Sequence, residues 1–72
     1  MTSVKISGEF IKLDSFLKFA AAVQTGGEAK TVIADGAVRV NGEVTTERGR
    51  KLRDGAIVAF AGNVWRVMSI DN

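Results

Sequence analysis

The chain has 72 residues, of which 46% are hydrophobic and 25% are charged, and its formal net charge is +2. This length and composition predict one small folded domain and exclude both a second domain and an intrinsically disordered segment. Cysteine and histidine are absent, which excludes disulfides, thiol nucleophiles, the usual metal ligands and the side chain that most readily transfers protons near neutral pH.

Extended chain precedes the first predicted helix. Val4 and Ile6 alternate with polar residues, which predicts a strand, and residues 10–13 form a short extended piece. Asp14 is the predicted N-cap of a helix that ends near Gln24. The residues expected on its apolar face recur at helical spacing and are Leu13, Phe16, Leu17, Ala20 and Val23.

A second helix is predicted to begin at Thr25, which is three residues before Glu28 and so fits a capping box. Gly36 can adopt the left-handed conformation that ends a helix, which gives this helix a length of about ten residues. Its expected apolar face consists of Ala29, Val32 and Ile33.

The remaining elements are strands. Val38 and Val40 flank the outward-facing Arg39, and the following Asn41-Gly42 favours a type I′ hairpin turn. Residues 45–54 are predicted to form a polar, basic loop.

A second hairpin is predicted from residues 56–61 and 64–70, with its turn at Gly62-Asn63. In that register Phe60 faces Trp65 and Val58 faces Val67 on the buried side, while Ala59 and Arg66 share the other side. The element order predicts an α+β fold in which two N-terminal helices pack on a small, mainly antiparallel sheet. The longest apolar run, residues 56–61, is six residues, whereas a membrane span needs roughly 20, so we expect neither a membrane span nor export.

Positive charge is concentrated between Arg48 and Arg53, where Arg48, Arg50, Lys51 and Arg53 account for four of the ten cations without an intervening acid. Arginine pairs bidentately with phosphate oxygens, and Gly49 lets the backbone approach a phosphate closely. This pattern predicts a nucleic-acid contact. The alternative is a solvated loop whose cations pair with the flanking Glu47 and Asp54.

Lys30 is a further candidate, because a cation in the first turn of helix two is unfavourable for the helix dipole and suggests an anionic partner. Gly26-Gly27 leaves the approach to that turn open. The alternative is an ordinary exposed lysine. Lys12, Lys18 and Arg39 are weaker candidates.

The aromatic residues are predicted to belong to the core. Trp65 could stack on an unpaired base, but its predicted pairing with Phe60 favours burial. Phe10, Phe16 and Phe19 lie at or near helical spacing with aliphatic residues, which indicates packing. We therefore expect nucleic-acid recognition to depend on phosphates and on the shape of a folded ligand more than on unpaired bases.

Residues 12–58 resemble the S-four-type RNA-binding domain, also called the alpha-L motif. The matching features, in order, are Lys12-Leu13-Asp14, Thr25, Ala29-Lys30, Val32-Ile33, Gly36, Val38-Arg39-Val40-Asn41-Gly42 and Asp54-Gly55. The short length and the Arg-Gly-Arg-Lys-Leu segment make the chain most similar to stand-alone bacterial members of the YbcJ and YaaA type. One departure is Gly26, which stands where many members carry an arginine just before helix two.

The resemblance implies a cytoplasmic RNA-binding domain spanning residues 1–72, and it places Lys12 and Lys30 on the RNA side. We expect a monomer that docks on structured RNA, with ribosomal RNA as a candidate. We expect no catalytic residue, metal, cofactor or small-molecule substrate. The alternative function is a protein-interaction adapter whose basic loop binds an acidic partner. The residues predicted to contact RNA are Lys12, Lys18, Lys30, Arg39, Arg48, Gly49, Arg50, Lys51 and Arg53.

Overall fold

A computed structural model describes residues 1–70. These residues form β1 (Thr2–Ile6), β2 (Phe10–Lys12), α1 (Leu13–Phe19), α2 (Gly26–Ala34), β3 (Arg39–Val40), β4 (Glu43–Val44), β5 (Lys51–Arg53), β6 (Ile57–Phe60) and β7 (Asn63–Ser69). The predicted α+β class and mainly antiparallel sheet are confirmed. The helices, however, lie between strands, because β1 and β2 precede them in the chain.

The strands form two sheets. The larger has the order β1-β7-β6-β3-β4, and all its neighbours are antiparallel except β1, which runs parallel to β7. The smaller sheet is an antiparallel ribbon of β2 and β5. Residues 51–53 therefore belong to a strand, and the prediction of a loop over the whole of residues 45–54 was wrong.

The helices pack on one face of the larger sheet. Phe16 of α1 contacts Trp65 of β7 edge-on, with ring centroids 6.2 Å apart and an interplanar angle of 79°. Trp65 is only 8% exposed and belongs to the same core cluster as Phe16, Val58 and Val67. The prediction that Trp65 is a core residue is confirmed.

Helix α1 begins and ends earlier than predicted. Asp14 is not its N-cap, because the helix starts at Leu13 and the Asp14 carboxylate accepts a hydrogen bond from the Ser15 amide at 2.7 Å. The helix stops at Phe19 instead of near Gln24. The amides of residues 22 and 23 both donate to the Leu17 carbonyl, and this turns the chain. Val23 is therefore buried although it lies outside the helix.

Helix α2 follows the prediction closely. The Thr25 hydroxyl accepts from the Glu28 amide at 3.0 Å, and Gly36 has the left-handed φ of +76°. The Glu28 carboxylate accepts from the Gln24 amide at 2.8 Å, one residue before the donor of a standard capping box. Lys30 is the fifth residue of the helix and not a first-turn residue, so its conflict with the helix dipole is weaker than predicted.

Both hairpins are present, but the second has a different register. Asn41 and Gly42 form the predicted turn, with φ of 52° and 86°. In the second hairpin the turn residues are Ala61 and Gly62, so Val58 lies opposite Trp65 instead of Val67. The shift is two residues, and side chains alternate with a period of two, so the predicted buried face is unchanged.

Candidate nucleic-acid interface

The β2–β5 ribbon sorts its side chains into a buried and an exposed face. Ile11 lies opposite Leu52, which is 1% exposed, and this central pair points towards the core. The two outer pairs, Phe10 with Arg53 and Lys12 with Lys51, point the other way and are exposed. We call this exposed face, consisting of Phe10, Lys12, Lys51 and Arg53, the basic ribbon.

Two residues of like charge are paired across the strands of the basic ribbon. Lys12 and Lys51 are cross-strand partners, an arrangement that destabilises a sheet when both side chains are charged. Throughout residues 1–70, no carboxylate lies within ion-pair distance of either ammonium group. Asp54, predicted in the alternative to pair with the basic segment, instead accepts the Ser69 amide at 2.9 Å. The ribbon therefore carries unbalanced positive charge that an external anion would relieve.

The turn before β5 is held to the start of α1 through its main chain. The carbonyl oxygens of Arg50 and Arg48 accept the amides of Leu13 and Asp14 at 2.9 and 3.0 Å. These two bonds replace the side-chain N-cap that α1 lacks. The main chain of the turn is thus fixed while the Arg48 side chain is exposed and that of Arg50 half-exposed.

Gly49 lies at the open tip of this turn. A Cβ placed on it would meet no heavy atom within 4 Å, so the protein itself does not require glycine there for space. Beside the turn, an open groove is lined by Val40, Asn41 and residues 50–56. Of the predicted site residues, Arg50, Lys51 and Arg53 line this groove, and Arg48 and Gly49 precede it in the turn. Lys12 is joined to Lys51 through the strand pairing.

The remaining predicted residues lie elsewhere. Lys18 and Lys30 are exposed on α1 and α2, and no described contact links either side chain to the basic ribbon. Arg39 lies opposite Ala59 on the sheet face that the helices do not cover, and its Nη1 donates to the Gly42 carbonyl at 3.4 Å. The structure thus brings together the predicted residues of β2, β5 and the preceding turn, but not Lys18, Lys30 or Arg39.

Phe10 was missed as a surface residue. It was predicted to pack, yet it is 37% exposed, and Phe19 is 60% exposed, so of the three phenylalanines assigned to packing only Phe16 is buried. The Lys51 ammonium nitrogen lies 4.8 Å from the Phe10 ring centroid and the Arg53 guanidinium carbon 5.6 Å. The sequence did contain a signal for the exposure of Phe10. Successive side chains of a strand point to opposite faces, so Phe10 must face outward once Ile11 faces inward.

Within residues 1–70, no helix is long and apolar enough to cross a bilayer. Within the same residues, acidic side chains do not gather into a group of three that could hold a metal ion.

Comparison with known proteins identifies one family. The profile of the S4 domain matches residues 4–68. The "Probable ribosome maturation protein RlbA" of Bacillus subtilis (strain 168) is 42% identical over 59 residues, covering 82% of this chain and 83% of that protein. The "Putative RNA-binding protein YbcJ" of Escherichia coli (strain K12) is 36% identical over 59 residues, covering 82% of this chain and 84% of that protein.

Solved structures agree with the sequence matches. The solution structure of YbcJ from E. coli, described as revealing an alfaL motif involved in RNA binding, superposes with a TM-score of 0.72 at 32% identity. That match covers 94% of this chain and 87% of YbcJ. The 30S ribosomal protein S4e from Thermoplasma acidophilum superposes with a TM-score of 0.59 at 20% identity, covering 81% of this chain and 30% of that one. This second likeness concerns the fold alone.

Proposed function

This chain belongs to the S4 domain family, and from that premise we propose that it is a non-catalytic RNA-binding protein that docks its basic ribbon on structured RNA. Ribosomal RNA is the candidate ligand that the name of the B. subtilis relative supports, which implies a cytoplasmic location. The proposal for the binding surface rests on the chain's own geometry.

The observation that carries it is the direct opposition of Lys12 and Lys51 without a neighbouring carboxylate in residues 1–70. Like charges on directly opposed residues of a sheet disfavour each other in the free protein, and a phosphate bound by both lysines would replace this repulsion with two attractions. Arg53 extends the same face, and its guanidinium can bind a second phosphate bidentately. A nucleic-acid phosphate backbone is a ligand that offers several closely spaced negative charges to such a group of cations.

The fixed main chain of the turn before β5 also favours RNA binding. Because backbone hydrogen bonds to α1 hold the carbonyls of Arg48 and Arg50, this segment loses little conformational freedom when it meets a rigid ligand. A preorganised surface suits a folded RNA helix, which presents its phosphates in one geometry. We propose that Arg48, Arg50 and Arg53 clamp phosphates, that Lys12 and Lys51 add point charge, and that Gly49 permits close backbone approach.

Lys18 and Lys30 extend the proposed contact only if the RNA reaches across both helices. Arg39 faces away from the helices and is left out of the proposed surface. Cations on the sheet face that the helices do not cover should therefore contribute little to RNA binding.

The proposal is tested by replacing Arg48, Lys51 and Arg53 with alanine. All three side chains are exposed, and the carbonyl that caps α1 at position 48 is retained in alanine, so thermal stability should change little. Affinity for a structured RNA should fall at least about tenfold, because three phosphate contacts are lost. Fluorescence anisotropy with a labelled ribosomal RNA hairpin measures the affinity.

The matched control replaces Lys5, Arg39 and Arg66, which are exposed on the uncovered sheet face, with alanine. It removes the same charge, so the general electrostatic attraction falls equally, and affinity should stay within about threefold of the parent. Equal losses in the two variants would reject the basic ribbon as the binding surface. If the parent bound an acidic polypeptide but no structured RNA, the adapter function would replace RNA binding.

A further inference from the structure

Phe10 is an exposed aromatic ring set among the cations of the basic ribbon. Its neighbour Ile11 faces the core opposite the buried Leu52, so the hydrophobic contact of this strand is made without Phe10. The ring is 37% exposed, while the Lys51 ammonium and the Arg53 guanidinium lie 4.8 and 5.6 Å from its centroid. An aromatic face flanked by phosphate-binding groups has the composition of a nucleotide-binding surface.

We propose that the Phe10 ring stacks on one unpaired base of the bound RNA, so that the basic ribbon selects a duplex with an unpaired nucleotide over a fully paired one. This inference rests on the proposed function, because it identifies the class of RNA bound at the same surface. It also reverses the expectation from the sequence that unpaired bases contribute little.

The cations around Phe10 lie where they could bind the phosphate of a nucleotide whose base stacks on the ring. Lys51 and Arg53 place their cationic groups over the Phe10 ring, and Lys12 lies two residues along the same strand on the same face. A stacked base would displace an ammonium or guanidinium group from the ring, and the released cation would bind the phosphate of the same nucleotide or of its neighbour. Cation contacts with an exposed ring are weak, so this exchange is favourable.

Stacking also defines what the site would discriminate. Every base has a π face, so a single ring tolerates any base identity. A base inside a duplex is stacked on its neighbours and unavailable, and releasing it is least costly where it is already unpaired. The expected preference is therefore for an unpaired nucleotide next to a helix and not for a particular sequence.

The experiment compares two RNA hairpins that are identical except for one unpaired nucleotide in the stem. The parent protein should bind the hairpin with the unpaired nucleotide at least about fivefold more tightly, the lower end of the contribution of one base stacked on an aromatic side chain. Phe10→Leu should remove this preference while still binding both hairpins, because it retains apolar bulk but not the aromatic face. Phe10→Trp should preserve the preference.

Phe19→Leu is the matched control, since Phe19 is even more exposed, at 60%, and lies outside the ribbon. It should leave the preference intact. A parent that binds both hairpins equally, a preference that survives Phe10→Leu, or equal losses in the two leucine variants would each overturn the inference. Failure of the parent to bind either hairpin would instead reject the proposed function, and with it the premise of stacking.

A second measurement needs no variant. A photoreactive 4-thiouracil at the unpaired position, irradiated in the complex with the unaltered protein, should crosslink within residues 10–12 or 51–53. A crosslink that maps only to other residues would overturn the assignment of Phe10.

Discussion

Replacing Lys12 with glutamate should make the protein more stable and its RNA binding weaker. Lys12 is opposite Lys51 and is also the N-cap of α1, two positions at which a cation is unfavourable. The change converts a like-charge pair into an opposite-charge pair, a difference of about 0.4–2 kcal/mol from two terms of about 0.2–1 kcal/mol each. A negative charge at the start of α1 adds about 0.3–1 kcal/mol.

Both groups are exposed, and salt screens them, so we expect only part of this sum, about 0.5–1.5 kcal/mol. For a domain of this size that corresponds to a rise in Tm of roughly 2–12 °C, which thermal denaturation followed by circular dichroism detects. The affinity for structured RNA should fall at least about tenfold, because an attractive contact with phosphate becomes a repulsive one.

Lys5→Glu is the control, because Lys5 is exposed on β1, opposite Met68, and the substitution changes the net charge equally. It should lower RNA affinity by no more than about threefold, through the general field alone. A lower Tm for Lys12→Glu would contradict the repulsion between Lys12 and Lys51. A loss of RNA affinity no greater than that of Lys5→Glu would contradict a phosphate contact at Lys12.

Three other predictions concern the same surface. The logarithm of the RNA association constant should fall linearly with the logarithm of salt concentration, with a slope of roughly −3 to −5 for about four to six phosphate contacts, and a slope near zero would contradict phosphate binding. Gly49→Ala should leave the Tm unchanged, because apart from its chain neighbours no heavy atom lies within 4 Å of the added Cβ. It should weaken RNA binding about threefold or more, a loss of at least about 0.6 kcal/mol. Unaltered affinity in a titration would argue against close backbone approach. Leu52→Ala should lower the free energy of unfolding in urea by about 2–5 kcal/mol, because the buried side chain leaves a cavity beneath the ribbon. A loss near zero would mean that the ribbon is not anchored through Leu52.

The elements that the sequence predicted best are those built from local interactions. The hydrogen bond from the Glu28 amide to Thr25 spans three residues, and the turn at Asn41-Gly42 needs only residues that tolerate positive φ. The alternation of Val38, Arg39 and Val40 likewise fixes the buried face without knowledge of the partner strand.

The errors arise where distant residues decide the structure. Asp14 has the chemistry of an N-cap, but carbonyls from residues 48 and 50 cap α1, and no local pattern predicts this. Residues 51–53 are polar enough to be predicted as a loop, yet pairing with β2 makes them a strand around the buried Leu52. The turn at Ala61-Gly62 places a non-glycine residue at positive φ, against its intrinsic preference, and so was assigned one residue too late.

The candidate site was predictable in composition but not in arrangement. The run of cations from Arg48 to Arg53 is visible in the sequence, whereas its pairing with Lys12 and its contact with Phe10 depend on the register of the ribbon. The sequence therefore indicated which charges are available, and the strand pairing showed where they repel each other.

The parallel pairing of β1 with β7 has a consequence for how the protein folds during synthesis. Among the strands of residues 1–70, β1 leaves the ribosome first, and its only strand partner there is β7, which is made last of these strands. Until β7 emerges, Val4 and Ile6 have no sheet to join, although the helices and the first hairpin can already form from local contacts. We therefore expect the larger sheet to close only after translation of β7, and a nascent chain halted before it should leave the N-terminal strand open to proteolysis.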